Sequence, residues 1–175
     1  MAAWRPNVTG VSRREVGAGV VAAAAALVVS LASVIVPNVY PLGLSADARY
    51  WFGYAPVFAA IAGLVAGAAV WRRGTSLEST PERGVLAGVA AAVGTVVLVP
   101  LLAGLYLLVF PVLLGTVAGD GWSGVLRVYP LYVRESVVVA WTVAVNWSPL
   151  VGAILVPLGA LVGWAYQRRL RPRGR

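Results

Sequence analysis

The sequence predicts an all-α integral membrane protein: an antiparallel bundle of four transmembrane helices with both termini on the cytoplasmic side. Three observations carry that prediction. The 175 residues are 60% hydrophobic and 11% charged, with a mean hydropathy of +0.84. A soluble domain has roughly 25% charged and about 45–50% apolar residues, so lipid must solvate much of this surface. The apolar residues form long uncharged runs, and the arginines collect at the ends of those runs, as membrane anchors do.

The stretch Tyr54 to Leu114 sets the frame: an apolar run, a short charged turn and a second apolar run. In the turn, Arg72 and Arg73 suit the negative end of the preceding helix, and Gly74 is expected at φ > 0 just past it. Thr80 followed by Pro81 is a start signal, with a side-chain oxygen at the N-cap and Pro where no N–H is needed. Glu82 then meets the positive end of the next helix dipole. The turn is read as cytoplasmic.

The chain is read as a single membrane domain, residues 1–175, with spans at about 16–36, 54–71, 84–106 and 147–166. Val16 to Val36 follows a polar leader containing Trp4, Arg5, Arg13 and Arg14, and is long enough to cross about 30 Å of hydrocarbon. Pro37 and Pro41 are expected to end it, with Tyr40 at the interface. A cleavable signal peptide would have a shorter apolar core, of about 7–15 residues. Ser12-Arg13-Arg14-Glu15-Val16 resembles a twin-arginine export signal, but Gly17 stands where a bulky apolar residue belongs. The segment is therefore read as a positive-inside anchor.

Leu42 to Gly53 is expected to be an outer loop, with Tyr50, Trp51, Phe52 and Tyr54 in the membrane–water belt. Pro56 should fall in the first turn of the second span. The third apolar run, Gly84 to Val117, would measure ~50 Å as a helix against ~30 Å of hydrocarbon. It is read as one span kinked at Pro100, with an apolar extension at 107–117. Gly115 to Glu135 is expected to be a second outer loop, turning at Asp120-Gly121. The fourth apolar run, Ser136 to Tyr166, is also overlong. Trp147 and Trp164 stand ~25 Å apart along a helix, the spacing of two interfacial belts. Residues 137–145 then form a second extension, predicted to pack on 107–117 as an outer cap.

Small residues recur every fourth position in the second span (Ala59, Gly63, Gly67) and the third (Gly84, Gly88, Ala92). Such spacing places them on one helical face and lets backbones approach. Because both stripes belong to one hairpin, they are expected to pack on each other.

The residue inventory excludes much chemistry. Cys is absent, and so is His, which removes thiol catalysis, Cys/His metal sites, His-ligated haem and imidazole acid–base work. The acids Glu15, Asp47, Glu78, Glu82, Asp120 and Glu135 all lie outside the expected spans, where a coupling or proteolytic carboxylate would be needed. No phosphate-binding glycine loop is present. No catalytic residue, cofactor or metal site is assigned, and no enzymatic activity is expected. The net charge of +8 comes without a basic–aromatic groove, so nucleic acid is not an expected partner.

Eleven arginines fall on the expected inner side and Arg49, Arg127 and Arg134 on the outer, which satisfies the positive-inside rule in a cell membrane. Expected partners are the lipid bilayer, with anionic headgroups at the Arg-rich tail, and a second copy or another membrane protein. Two functional classes follow. The first is a non-enzymatic accessory or assembly module acting through helix contacts. The alternative is a small transporter or channel subunit with a polar path at Thr142, Asn146 and Ser148. A buried amide is costly unless bonded, which singles out Asn146; the carbonyl of Val145, freed by Pro149, is one partner within its reach.

Overall fold

The structure, a computed structural model, describes residues 12–39, 46–74, 80–117, 119 and 122–170. These form five α-helices: α1 (Arg13–Val39), α2 (Ala46–Gly74), α3 (Pro81–Val117), α4 (Trp122–Asn146) and α5 (Ser148–Leu170). Each is long and apolar enough to cross a membrane, and the described residues contain no strand. The fold is a multi-pass helical membrane bundle.

The helix ends follow local chemistry. Ser12 caps α1: its Oγ accepts from the Glu15 amide at 3.2 Å, and the Ser12 amide donates to the Glu15 carboxylate at 3.1 Å. That reciprocal pair satisfies two amides that no helical carbonyl reaches. α3 begins at Pro81, as the Thr80-Pro81 signal predicts, and the Gly84 amide donates to the Thr80 carbonyl at 3.3 Å. Gly74 is the last residue of α2 and does not take positive φ; Gly119, in the α3–α4 turn, does, at +79°. Pro37 lies inside the last turn of α1 and does not end it. Tyr40, Pro41, Asp120 and Gly121 lie outside the described residues.

Two expected loops are largely helical. α2 starts at Ala46, so Tyr50, Trp51, Phe52 and Tyr54 stand on a helix and Pro56 lies in its interior. α4 starts at Trp122, so most of the second expected loop is a helix too. Apolar content and turn residues alone misplaced both boundaries, because Asp47, Arg49, Arg127, Arg134 and Glu135 face outward from helices anchored by buried Trp51, Phe52 and Val125.

α1 lies antiparallel to α2, and α2 to α3. The third hairpin is longer. The start of α3 packs on the end of α5 (Gly84 on Gly163), its middle on α4 (Gly104 on Ser136) and its end on the start of α4 (Gly115 on Val125). α4 and α5 therefore follow one another along α3, separated only by Trp147. The Trp147 amide donates to the Val143 carbonyl at 2.9 Å and the Val151 amide to the Trp147 carbonyl at 3.0 Å, so helical bonding carries across the junction. Residues 107–117 consequently face the first turns of α4. Residues 137–144 lie beside Val96 to Leu101, one stretch earlier in α3 than the predicted cap required.

The main core gathers Trp51, Phe52, Phe58, Val99, Val143, Trp147, Val151 and Leu155 among alanines of α1 to α3. Trp147 is wholly buried and is the largest such side chain. It is not the interfacial anchor its spacing from Trp164 predicts; Trp164 is 41% exposed and stacks under the Arg168 guanidinium.

Candidate functional site

Two small-residue seams and one polar cluster are the sites the sequence proposes, and the bundle separates them. The α2 stripe does not meet the α3 stripe. Ala59 is fully buried, while Gly63 and Gly67 face α1: a Cβ on Gly63 would stand 2.9 Å from the Ala22 carbonyl oxygen, and one on Gly67 2.8 Å from the Ala22 Cβ. The α3 stripe faces α5. A Cβ on Gly84 would stand 2.6 Å from the Gly163 carbonyl oxygen, and one on Gly88 would run into the Gly159 carbonyl oxygen. From the other side, a Cβ on Gly159 would stand 2.7 Å from the Gly88 carbonyl oxygen and 2.9 Å from the Ala92 Cβ. The seam is thus backbone on backbone at Gly84, Gly88, Gly159 and Gly163, and only glycine fits there.

The expectation failed because a hairpin's two helices share one short turn while each also has another neighbour. Facing depends on rotation about the helix axis, which spacing within one helix does not fix. Gly19, Gly104, Gly159 and Gly163 complete the seams and were missed. Gly159 and Gly163 carry the same four-residue spacing that singled out Gly84 and Gly88, so that signal was present. Between α2 and α3 the contact is made largely by aromatic rings, with one small pair beside them. Tyr106 stacks on Tyr54 and Phe110 and meets Trp51 and Phe58, and Ala66 packs over Gly94.

The polar cluster does not converge. Asn146 is exposed, and its Nδ2 donates to the Thr142 carbonyl at 2.8 Å, one turn back on α4 and not the Val145 carbonyl that Pro149 frees. Thr142 is half-buried. Ser148 turns the other way, and its hydroxyl donates to the Val96 carbonyl on α3 at 3.3 Å. Other hydroxyls bond to their own helices: Ser33 to Ser30, Thr95 to Ala91, and Ser136 to Val133. Such bonds silence a hydroxyl inside lipid without a partner helix.

The Arg-bearing ends of α1, α2, α3 and α5 meet at one end of the bundle. The Tyr166 hydroxyl donates to the Arg14 carbonyl at 2.9 Å, its ring stands edge-on to buried Trp71, and Gly84 packs on the fully buried Gln167. Beside this cluster a small, partly open cavity of about 30 Å³ lies between α1, α3 and α5, lined by Ala22, Ala91, Thr95, Leu155 and Gly159. It is large enough for a water molecule and little more. At the opposite end, the start of α2, the end of α3 and the start of α4 enclose an open cleft of about 740 Å³. Among the described residues, no three Asp, Glu, His or Cys side chains cluster to hold a metal. Comparison with known protein families, with characterised proteins and with solved structures finds no match to this chain.

Proposed function

We propose that the chain is a non-enzymatic membrane module, an accessory or assembly subunit that works through helix–helix contact. The observation that carries this reading is the Gly84/Gly88–Gly159/Gly163 seam. It brings the backbones of α3 and α5 together toward the Arg-bearing end of the bundle, beside a cavity of water size. α4 meanwhile presents Val137, Val138, Trp141 and Val145 outward, all half or more exposed or nearly so, as a face for lipid or a partner helix.

The same arrangement supports four crossings. α3 would measure ~55 Å along its axis, well beyond the ~30 Å of a bilayer core. Its antiparallel partner is α4 and α5 in succession, which supports reading the pair as one long crossing beside α3. The Arg-bearing ends of α1, α2, α3 and α5 share one end of the bundle, which supports both termini being cytoplasmic in a cell membrane. The surplus length of α3 and α4 then stands on the outer side.

The test is gentle solubilisation followed by intact-mass measurement and identification of co-purifying membrane proteins, with a flux assay in liposomes alongside. A stable partner or defined oligomer with no solute flux is expected. Flux through the wild type, abolished by Asn146→Leu while the fold survives, would overturn the reading in favour of a transporter.

A further inference from the structure

We propose that the cleft between α2, α3 and α4 is a lipid site holding an acyl chain of a membrane glycerophospholipid. Its volume of about 740 Å³ falls within the roughly 300–1,000 Å³ of small-molecule sites. Its floor is apolar and buried: Trp51 is 8% exposed, Val125 7%, and Gly115 packs directly on Val125. Its walls are the rings of Tyr106 and Phe110, stacked with centroids 4.8 Å apart. Among the described residues no charged side chain lines it; the polar groups there are the hydroxyls of Ser123 and of Tyr50, Tyr106, Tyr129 and Tyr132.

That chemistry selects the occupant. These described walls offer no charge to an ion or a charged headgroup, whereas an aliphatic chain gains from leaving water against aromatic and aliphatic side chains. Phenol and serine hydroxyls can donate to the ester carbonyls at the polar end of such a chain. The cleft also opens beside Phe110, Leu113 and Leu114, which are 40–56% exposed on α3 and continue its apolar surface outward. The cleft begins at Tyr106, where α3 leaves the hydrocarbon, so a phospholipid of the outer leaflet reaches it along that apolar surface. The assignment rests on the helices lying in lipid and is independent of the assembly role.

Full-length protein is reconstituted with phosphatidylcholine or with phosphatidylglycerol, extracted in mild detergent and weighed intact by native mass spectrometry. The wild type should keep a single phospholipid of either headgroup. Gly124 lines the cleft and a Cβ there meets no atom within 4 Å, so Gly124→Trp should fill the space and lose that lipid. Gly53, equally open but outside the cleft, serves as the control, and Gly53→Trp should keep it. A lipid-free wild type, retention of phosphatidylglycerol alone, a lipid-free dimer, or an undiminished adduct on folded Gly124→Trp would each overturn the proposal. A second measurement uses the wild type only. Phosphatidylcholine with a diazirine in its acyl chain should photolabel Val125 and Leu107, and labelling confined to Val137, Val138 and Trp141 on the outer face of α4 would sink the assignment even if Gly124→Trp fails to fold.

Discussion

Ser148 donates its hydroxyl hydrogen bond to the carbonyl of Val96, 3.3 Å away on the neighbouring helix. Val96 stands four residues before Pro100, so its carbonyl is the one that Pro100 leaves without a helical amide. α3 nevertheless continues through Pro100 to Val117. A side chain at the first turn of α5 thus serves a backbone group that a proline in α3 orphans.

A double-mutant cycle tests that relation. Ser148→Ala alone should cost about 0.6 kcal/mol, the average of intramembrane hydrogen bonds. In a Pro100→Ala background the backbone amide restored at that position takes the Val96 carbonyl, and Ser148→Ala should then cost nothing measurable. Equal costs in both backgrounds, read from unfolding in mixed detergent, would show that the two residues are not coupled.

The glycine seams should outweigh the polar cluster in stability. Gly88→Leu forces a side chain into the Gly159 backbone, and overpacking of this kind costs about 1–3 kcal/mol or more. Gly63→Leu meets Ala22 and Ala23 and should cost a similar amount. Asn146 is exposed and bonded within its own helix, so Asn146→Leu should cost about 0.6 kcal/mol or less. Thermal melting in one detergent gives the order, and an Asn146→Leu loss exceeding that of Gly88→Leu would contradict the packing described.

The two tryptophans of the fourth apolar run should behave differently. Trp147 is fully buried, and truncation to Ala at such a site costs about 3–5 kcal/mol. Trp164 is 41% exposed, and Trp164→Ala should cost about 0.5 kcal/mol or less, as surface substitutions do. Similar losses for both would mean that Trp147 is an interfacial residue after all.

The absence of native cysteine gives a clean background for mapping orientation. Ser45→Cys and Ser123→Cys should react with a membrane-impermeant maleimide added to intact cells, and Arg175→Cys should react only after the membrane is opened. Labelling of Arg175→Cys from outside would reverse the topology.

By itself, the sequence determined the class of molecule and the start of α3, the second helix of its central hairpin. Apolar runs with arginines at their ends dictate helices in lipid, because a buried backbone there must bond within its own segment. Thr80-Pro81 fixes the start of α3 through local geometry alone, and the Ser12–Glu15 spacing carries the cap of α1 in the same way. Tertiary structure decided which faces meet. Spacing of four marks Gly63, Gly67, Gly84 and Gly88 as small faces, but the rotation and neighbours of each helix turn one pair toward α1 and the other toward α5. It also decided Trp147: an indole suits both an interface and a core, and only the gathering of the helices into the main core excludes water from it. Ser148 and Val96 are 52 residues apart in the chain, and their bond exists only because α5 follows α4 along the side of α3.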